Sequence, residues 1–157
     1  MAAFGVVGTR MYVGDTALVD IEDAADALAD FTALTTQVEV GSIENIGNFG
    51  KMFQEVSFQN IKDGRTYKFK GGFDEGTLEM TVAADLSDAG LLLLRSYAEA
   101  ADQNTYPFKI TFTGAPTAYD TMYFGGKVFS FQFQTGTVNN VVKALIRIGI
   151  NTPIFFQ

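Results

Sequence analysis

The sequence contains no histidine, cysteine or tryptophan and only three prolines. Without histidine or cysteine, the chain cannot form a Ser-His-Asp or Cys-His nucleophile system or an ordinary zinc site. The lack of cysteine also excludes disulfide bonds, which fits folding inside a cell. A carboxylate-only or Ser-Lys enzyme stays formally possible, but no nucleophile–base pair stands out. We therefore expect no enzymatic activity, no catalytic residues and no cofactor.

Long apolar runs are also missing. No stretch approaches the roughly 20 apolar residues of a membrane span, and the longest aliphatic run is Leu91 to Leu94. The first residues lack a basic n-region, and their apolar run is too short for a signal peptide. We therefore expect a soluble protein that folds where it is made and has no membrane partner.

Basic residues are scarce, since the formal net charge is −7 and the sequence pI is about 4.4. This balance argues against tight binding to a phosphate backbone, which needs clustered Lys and Arg. The charge is also uneven, because Arg10 is the only base among residues 1–50, whereas residues 103–157 have Asp120 as their only acid. This asymmetry indicates either a solvated acidic loop or head-to-tail complementarity between copies.

The residues that are present favour a β-rich fold. The chain has 157 residues, which suits one domain with its own core. Fifteen phenylalanines, sixteen glycines and many Thr and Val residues favour strands. Alternating apolar residues predict strands around Tyr67–Phe69, Leu78–Val82, Phe108–Phe112, Phe129–Phe133 and Val142–Ile150, each with one buried face. A turn is expected between the first two of these strands, at Gly71–Gly76.

One convincing helix follows the second of these strands. Asp85 or Ser87 is expected to cap its first N–H groups, with Asp88 in the first turn. The apolar positions lie at helical spacing and predict a core helix: Leu91, Leu94, Ala98 and Ala101. The predicted fold is therefore mainly β, a sandwich or half-barrel of antiparallel strands with one major helix, and residues 1–157 form a single domain.

Residues 14–36 form a predicted acidic surface segment with a short helical turn. Its acids resemble a divalent-cation site only superficially, because the glycine and closing Glu of an EF-hand loop are not at their positions. We therefore expect no metal site.

Two further segments are more apolar than free loops require. Residues 42–53 join two predicted strands over more residues than a typical hairpin, and we interpret them either as a mobile hairpin tip or as a stacking loop that packs on a neighbouring copy. Residues 153–157 form an apolar C-terminal arm. The candidate residues for contacts between stacked copies are Ile43, Ile46, Phe49, Met52, Phe53, Ile154, Phe155 and Phe156.

Three stretches carry a resemblance to a known family. They are GFDEGTLEMTVAADLSDAGLLLL (72–94), FGGKVFSFQFQTGTVNNVVKALIRIGIN (124–151) and QVEVGSIENIG (37–47). Together they resemble the central segment, the closing hairpin and the second strand of major tail tube proteins from long, non-contractile (siphovirus-like) phage tails. The match covers most of residues 37–152 and leaves residues 14–36 outside it.

The resemblance implies a sandwich-like fold related to type VI secretion tube proteins. It implies hexameric rings whose inner strands join into one barrel and which stack into a hollow tube around a tape measure protein. The implied partners are other copies of the chain and the tail terminator and tail tip proteins, and DNA passes through the lumen without specific binding. The implied location is the virion tail, assembled in the host cytoplasm.

Two other functions are compatible with the same residues. A type VI or contractile-tail tube protein, or a tail terminator, would share the fold. A β-sandwich module that binds a ligand or glycan would be a monomer, although the lack of tryptophan removes the residue that stacks best on sugars.

Overall fold

The computed structural model describes residues 3–18, 31 and 36–156. These residues form ten strands, all paired antiparallel, and one α-helix. In chain order the elements are β1 (Arg10–Gly14), β2 (Gln37–Val40), β3 (Ile43–Asn45), β4 (Met52–Gln59), β5 (Thr66–Asp74), β6 (Thr77–Ala83), α1 (Ala89–Glu99), β7 (Tyr106–Thr111), β8 (Thr121–Gln134), β9 (Lys143–Ile150) and β10 (Phe155–Phe156). The prediction of a mainly β fold with one major helix is confirmed.

Eight strands form one sheet in the order β2-β1-β7-β8-β9-β6-β3, with β10 also paired to β8. Strand β8 is the longest and changes partner along its length, from β7 at residues 121–126 to β9 at residues 126–134. The change occurs at Gly126, where an added Cβ would lie 2.9 Å from the Gly149 carbonyl oxygen. The absence of a side chain at Gly126 therefore lets the backbones of β8 and β9 approach closely.

The core lies on one face of this sheet and is formed by alternate residues of its strands. In β6 the side chains of Leu78, Met80 and Val82 are buried, while Thr77, Glu79 and Thr81 point away from the core. Strand β9 alternates in the same way. Strand β8 departs from alternation at a register shift between Val128 and Ser130, and Phe129 at this shift is exposed although the pattern predicted a buried face. Phe131, opposite Ile146, packs partly on the core, whereas Phe133, opposite Ala144 near the end of β8, is exposed.

Helix α1 packs against β8, β2 and β1. Asp88 is its N-cap, and one oxygen of that carboxylate accepts hydrogen bonds from the backbone N–H groups of Leu91 (3.3 Å) and Gly41 (3.0 Å). The predicted caps were therefore wrong by one to three residues, because Asp88 lies where it can also bind the turn after β2. A Cβ on Gly90 would collide with the Glu39 carbonyl, so only glycine allows this close packing.

Strands β4 and β5 pair only with each other and form a two-stranded ribbon outside the main sheet. Two expectations were wrong here. First, β5 continues through Gly71 and Gly72 to Asp74, so the turn before β6 is confined to Glu75 and Gly76, where Gly76 has φ 92°. Second, Tyr67 and Phe69 are exposed, because the ribbon does not pack on the core of its own chain.

A second, smaller apolar cluster lies near the end of the chain. Phe31 stacks on Tyr123 with 5.8 Å between ring centroids, and Phe155 lies 6.0 Å from Phe31. Of the predicted acidic segment 14–36, only residues 14–18, 31 and 36 belong to the described part of the chain. No helix in the described part of the chain is long and apolar enough to cross a membrane.

Candidate assembly surface

The ribbon β4–β5 has one apolar face and one mixed face. The apolar face holds the cross-strand pairs of Val56 with Phe69 and of Phe58 with Tyr67, because residues two apart along a strand share a face. A register shift between Phe53 and Glu55 places the pair of Phe53 with Phe73 on the mixed face, where Lys70 Nζ lies 4.9 Å from the centroid of the Phe53 ring. The same mixed face carries Ser57 paired with Lys68 and Glu55 paired with Lys70.

The four side chains of the apolar face are exposed, and we call them the apolar stripe: Val56, Phe58, Tyr67 and Phe69. On the mixed face, the rings of Phe53 and Phe73 lie 5.6 Å apart. An isolated two-stranded ribbon is only marginally stable in water and needs a partner surface. A contiguous exposed apolar face of this kind marks an interaction site.

The second half of β8 offers an unpaired strand edge. Residues 127–134 pair with β9, and no other strand among the described residues pairs with them. Their free N–H and C=O groups form a template on which another strand can add. The apolar stripe and this free edge are therefore two surfaces of the described residues on which another chain can add.

The sheet face opposite the core is polar where β6 and β9 lie side by side. The Arg147 guanidinium lies 3.3 Å from the Glu79 carboxylate, with Thr77, Thr81 and Leu145 around them. This face lines an open depression of about 530 Å³. Because the two charges neutralise each other, the face has no basic patch for a phosphate backbone.

The predicted stacking loop, residues 42–53, contains fewer loop residues than the sequence indicated, because strands take up both of its ends. Ile43 belongs to β3 and pairs with Val82, while Met52 and Phe53 begin β4. Ile43, Ile46 and Phe49 are partly buried against the core of their own chain, and the Phe49 ring lies 6.3 Å from Phe124. Met52 and Phe53 are the exposed members of this group.

The predicted C-terminal arm lies along β8. Phe155 pairs with Tyr123, and Phe156 pairs with Met122. Ile154 packs on the main core, and Phe155 joins the cluster around Phe31. Phe156 remains largely exposed, with its ring edge toward Tyr119 at 5.5 Å.

The helix residues that the sequence placed in the core are buried or partly buried, with the exception of Ala101. Leu91 and Leu94 are buried, and Ala98 is partly buried against the core. Ala101 lies beyond the end of α1 at Glu99.

The loop and the arm meet at a cavity of about 360 Å³, which we call the base pocket because it lies where the ribbon leaves the main sheet. Its apolar walls come from Phe49, Met122, Pro153, Ile154 and Phe156. Glu75 and Lys51 line the same cavity, with 3.5 Å between the Lys51 Nζ and Glu75 Oε1. Sequence reasoning missed Glu75 because it appeared as one polar turn residue among several.

No group of three or more side chains that could hold a metal ion occurs in residues 3–18, 31 and 36–156. The acids of residues 19–30 lie outside this range.

No protein-family model and no curated protein matches the sequence. Solved structures do match the fold. A chain of the cryo-EM structure of the sheath/tube terminator of PVC, an extracellular contractile injection system, matches with a TM-score of 0.65 and 10% identity, over 99% of this chain and 96% of that one.

Two further structures extend the comparison. A chain of the anti-feeding prophage baseplate matches with a TM-score of 0.66 and 9% identity, over 98% of this chain and 97% of that one. The SPP1 tail tube matches with a TM-score of 0.61 and 11% identity, over 98% of this chain and 79% of that one. At such low identities the similarity establishes the fold, which is that of proteins from tubular tail-like assemblies.

Proposed function

We propose that this chain is a structural subunit of a tail tube, in which copies join into rings and the rings stack into a hollow tube. The apolar stripe of the ribbon carries this proposal, because four large apolar side chains share one exposed face of the ribbon. At roughly 25 cal/mol per Å² of apolar surface buried, covering the stripe supplies a substantial driving force for association. Ordering the ribbon offsets part of it.

Rings follow from the free strand edges. The ribbon has outer edges, and residues 127–134 of β8 have an unpaired edge. A contact between such edges on two copies is head-to-tail, and it closes into a ring when the rotation per subunit fits. A closed barrel leaves no edge exposed, and six subunits per ring is the number implied by the family resemblance.

The specific role we propose is that of the major tail tube protein of a siphovirus-like phage. In this role the rings surround a tape measure protein, and terminator and tip proteins bind the two ends. The polar face around Glu79 and Arg147 is proposed to line the lumen. Since it has no basic patch and the chain is acidic overall, DNA would pass without specific binding. The tail would assemble in the host cytoplasm.

Two segments are proposed to act between rings. The segment 42–53 and the arm 153–157 meet at the base pocket, so they form one continuous surface. Met52, Phe53 and Phe156 are its exposed apolar side chains and the best candidates for inter-ring contacts.

The experiment is electron microscopy of the purified protein, alone and with a tail-initiation complex. We expect rings and tubes from the wild type and neither from the double variant Val56→Ser/Phe69→Ser, which removes one cross-strand pair of the stripe. The adjacent pair on the opposite face of the ribbon provides the control. This control variant, Ser57→Ala/Lys68→Ala, should still assemble. All three proteins should melt at the same temperature, because the ribbon is outside the core.

Wild-type protein that stays monomeric at every concentration, even with the initiation complex, would contradict the proposal. Binding of that monomer to a glycan array would instead support the ligand-binding module.

The second candidate is a tube or terminator protein of a contractile system. The similarity to the terminator and baseplate assemblies of contractile injection systems favours it. A terminator forms single rings that cap a tube, whereas a tube protein forms tubes of increasing length. A contractile tube would also bind a sheath protein along its outer surface.

A further inference from the structure

The strand pairs β3–β6 and β4–β5 belong to one long hairpin. Asn45 pairs with Thr81 in the first pair, and Met52 pairs with Asp74 in the second. Six residues separate Asn45 from Met52, and six residues separate Asp74 from Thr81. The ribbon therefore continues the register of the pair β3–β6.

Contacts in the interval between the two pairs keep the same register. The Gly50 N–H donates to the Glu75 carbonyl oxygen at 3.3 Å. A Cβ on Gly47 would collide with the Glu79 carbonyl oxygen, so the chain between β3 and β4 runs close beside β6. Strand β4 therefore continues β3, strand β5 continues β6, and residues 43–59 form one side of the long hairpin.

This side of the hairpin continues one edge of the main sheet. The sheet order ends in β8-β9-β6-β3, and within the described residues β3 pairs only with β6 and β4 only with β5. The opposite edge of these four strands is the unpaired edge of β8 at residues 127–134. Because β9 and β6 lie between the two edges of one chain, a contact between these edges needs a second copy and is head-to-tail.

Strand direction determines how the two edges meet. The pairs β8–β9, β9–β6 and β6–β3 are all antiparallel, so β8 and β3 run in opposite directions. A second copy that continues the sheet beside β3 and β4 presents its β8 in the same direction as the β8 of the first copy. The β8 of the second copy is therefore antiparallel to β4, and residues directly opposite each other share a face.

The free part of β8 has one apolar row and one polar row. Phe131 and Phe133 lie on the core side, because they are opposite Ile146 and Ala144, while Gln132 between them lies on the other face. Phe133 is nevertheless 48% exposed. The core-side row of β8 therefore extends beyond the part that its own chain covers.

Strand β4 has the same alternation. Val56 and Phe58 belong to the apolar stripe, and Glu55 and Ser57 alternate with them on the mixed face. When Phe131 of another copy lies opposite Val56 or Phe58, the apolar rows of the two strands become neighbours, and so do their polar rows.

We propose that the outer edge of β4, the edge away from β5, pairs antiparallel with residues 127–134 of β8 in a second copy of this chain. The apolar stripe of one copy then extends the core-side row of the next copy and covers its Phe133. The mixed face of the ribbon extends the polar face of the sheet. This pairing rests on the self-assembly proposed above and specifies which two edges meet.

The other strand of the ribbon is the less suitable edge. Strand β4 offers eight residues, Met52–Gln59, and the free part of β8 has the same length. Strand β5 is interrupted by an extra residue at Gly71-Gly72, opposite the single residue Gln54. The outer edge of β5 also lies on the side of the hairpin where β9 pairs with β6. Strand β5 therefore provides the matched control.

Disulfide trapping tests the pairing, because the natural chain has no cysteine. With Phe131 opposite Val56 or Phe58, Gln132 lies opposite Glu55 or Ser57. Opposite residues of an antiparallel pair have Cα atoms about 4.5–5.5 Å apart, which a disulfide can span. Assembled and then oxidised, one of the two double variants, Glu55→Cys/Gln132→Cys or Ser57→Cys/Gln132→Cys, should give a ladder of covalent multimers on a non-reducing gel.

The control variant is Lys68→Cys/Gln132→Cys. Lys68 pairs with Ser57 on the mixed face but lies one strand further from the proposed contact, at about 10 Å, which is beyond the reach of a disulfide. This variant and the single cysteine variants should give no ladder. A ladder from the Lys68 variant in place of the β4 variants would overturn the proposal.

A second measurement needs no cysteine. Phe133→Ser should lose sedimenting tubes while melting close to the wild type, because Phe133 is exposed in the single chain. Val138→Ser, in the fully exposed turn after β8, should keep both properties. Cysteine variants that form tubes but no ladder, or normal tubes from Phe133→Ser, would overturn this pairing and leave the tail tube function standing. A wild type that forms neither rings nor tubes would overturn both.

Discussion

At the scale of single residues, the turn at residues 60–65 between β4 and β5, which we call the ribbon tip, depends on one carboxylate. The Arg65 N–H and then the Tyr67 hydroxyl hold the pKa of Asp63 below its ordinary value of 3.8. A carboxylate with a lowered pKa stabilises the structure above its ordinary pKa, and this contribution is lost as the pH falls through the lowered pKa. The tip should therefore hold its shape at neutral pH and loosen only in strong acid.

We expect the Asp63 titration, followed by carboxyl NMR, to have its midpoint below 3.8 in the wild type. In Tyr67→Phe the midpoint should move up toward the ordinary value, because one donor to the charged form is gone. An unchanged midpoint would mean that the hydroxyl does not bind Asp63 in solution.

The stacking surface can also be tested residue by residue. Met52 is exposed, whereas Ile46 packs partly against the core. Met52→Ser should therefore shorten tubes without changing the melting temperature. Ile46→Ser should lower the melting temperature, since it puts a hydroxyl against apolar side chains. If Met52→Ser tubes grew to normal length, the segment 42–53 would have no role in stacking.

At the scale of elements, α1 stabilises the fold through its buried side chains. Leu94 is fully buried, and Leu94→Ala should destabilise the protein by about 2–5 kcal/mol through lost contacts and a cavity. Leu92 lies on the same helix but is largely exposed, so Leu92→Ala should change stability by no more than about 0.5 kcal/mol. Denaturant unfolding of both variants measures the difference, and equal losses would contradict the packing of α1.

The elements also show how far the sequence determines the fold. Period-two alternation located β6, β7 and β9 correctly, because each has one face on the core and one in solvent. The same pattern in β5 gave the strand but not its surroundings. Alternation indicates that the face of β5 with Tyr67 and Phe69 is apolar and favours burial. It cannot distinguish burial in the same chain from burial against a neighbouring chain.

The remaining differences have equally local causes. Asp85, Ser87 and Asp88 are all good N-caps, and only the tertiary contact of Asp88 with Gly41 decides among them. Glu75 became notable only when the fold placed Phe49 and Ile154 beside it. Sequence could identify both the loop and the arm as unusually apolar, but it could not show that they meet.

At the scale of the whole molecule, assembly should be driven by burial of the apolar stripe. Hydrophobic association near room temperature is entropic and weakens on cooling. We therefore expect more tubes at 25 °C than at 4 °C, and more again when sulfate is added, as measured by the sedimenting fraction. Assembly that strengthens on cooling or disappears in sulfate would indicate that ion pairs dominate the contacts.

The unsupported ribbon also bears on the timing of polymerisation. Two free subunits must both order a marginally stable ribbon to make their first contact, whereas a later subunit docks on one that is already ordered. Growth should therefore show a lag that short preformed tubes abolish. In a cell, this nucleation barrier would keep newly made subunits separate until a starting complex provides the first ordered edge, so that polymerisation begins at one place on each particle.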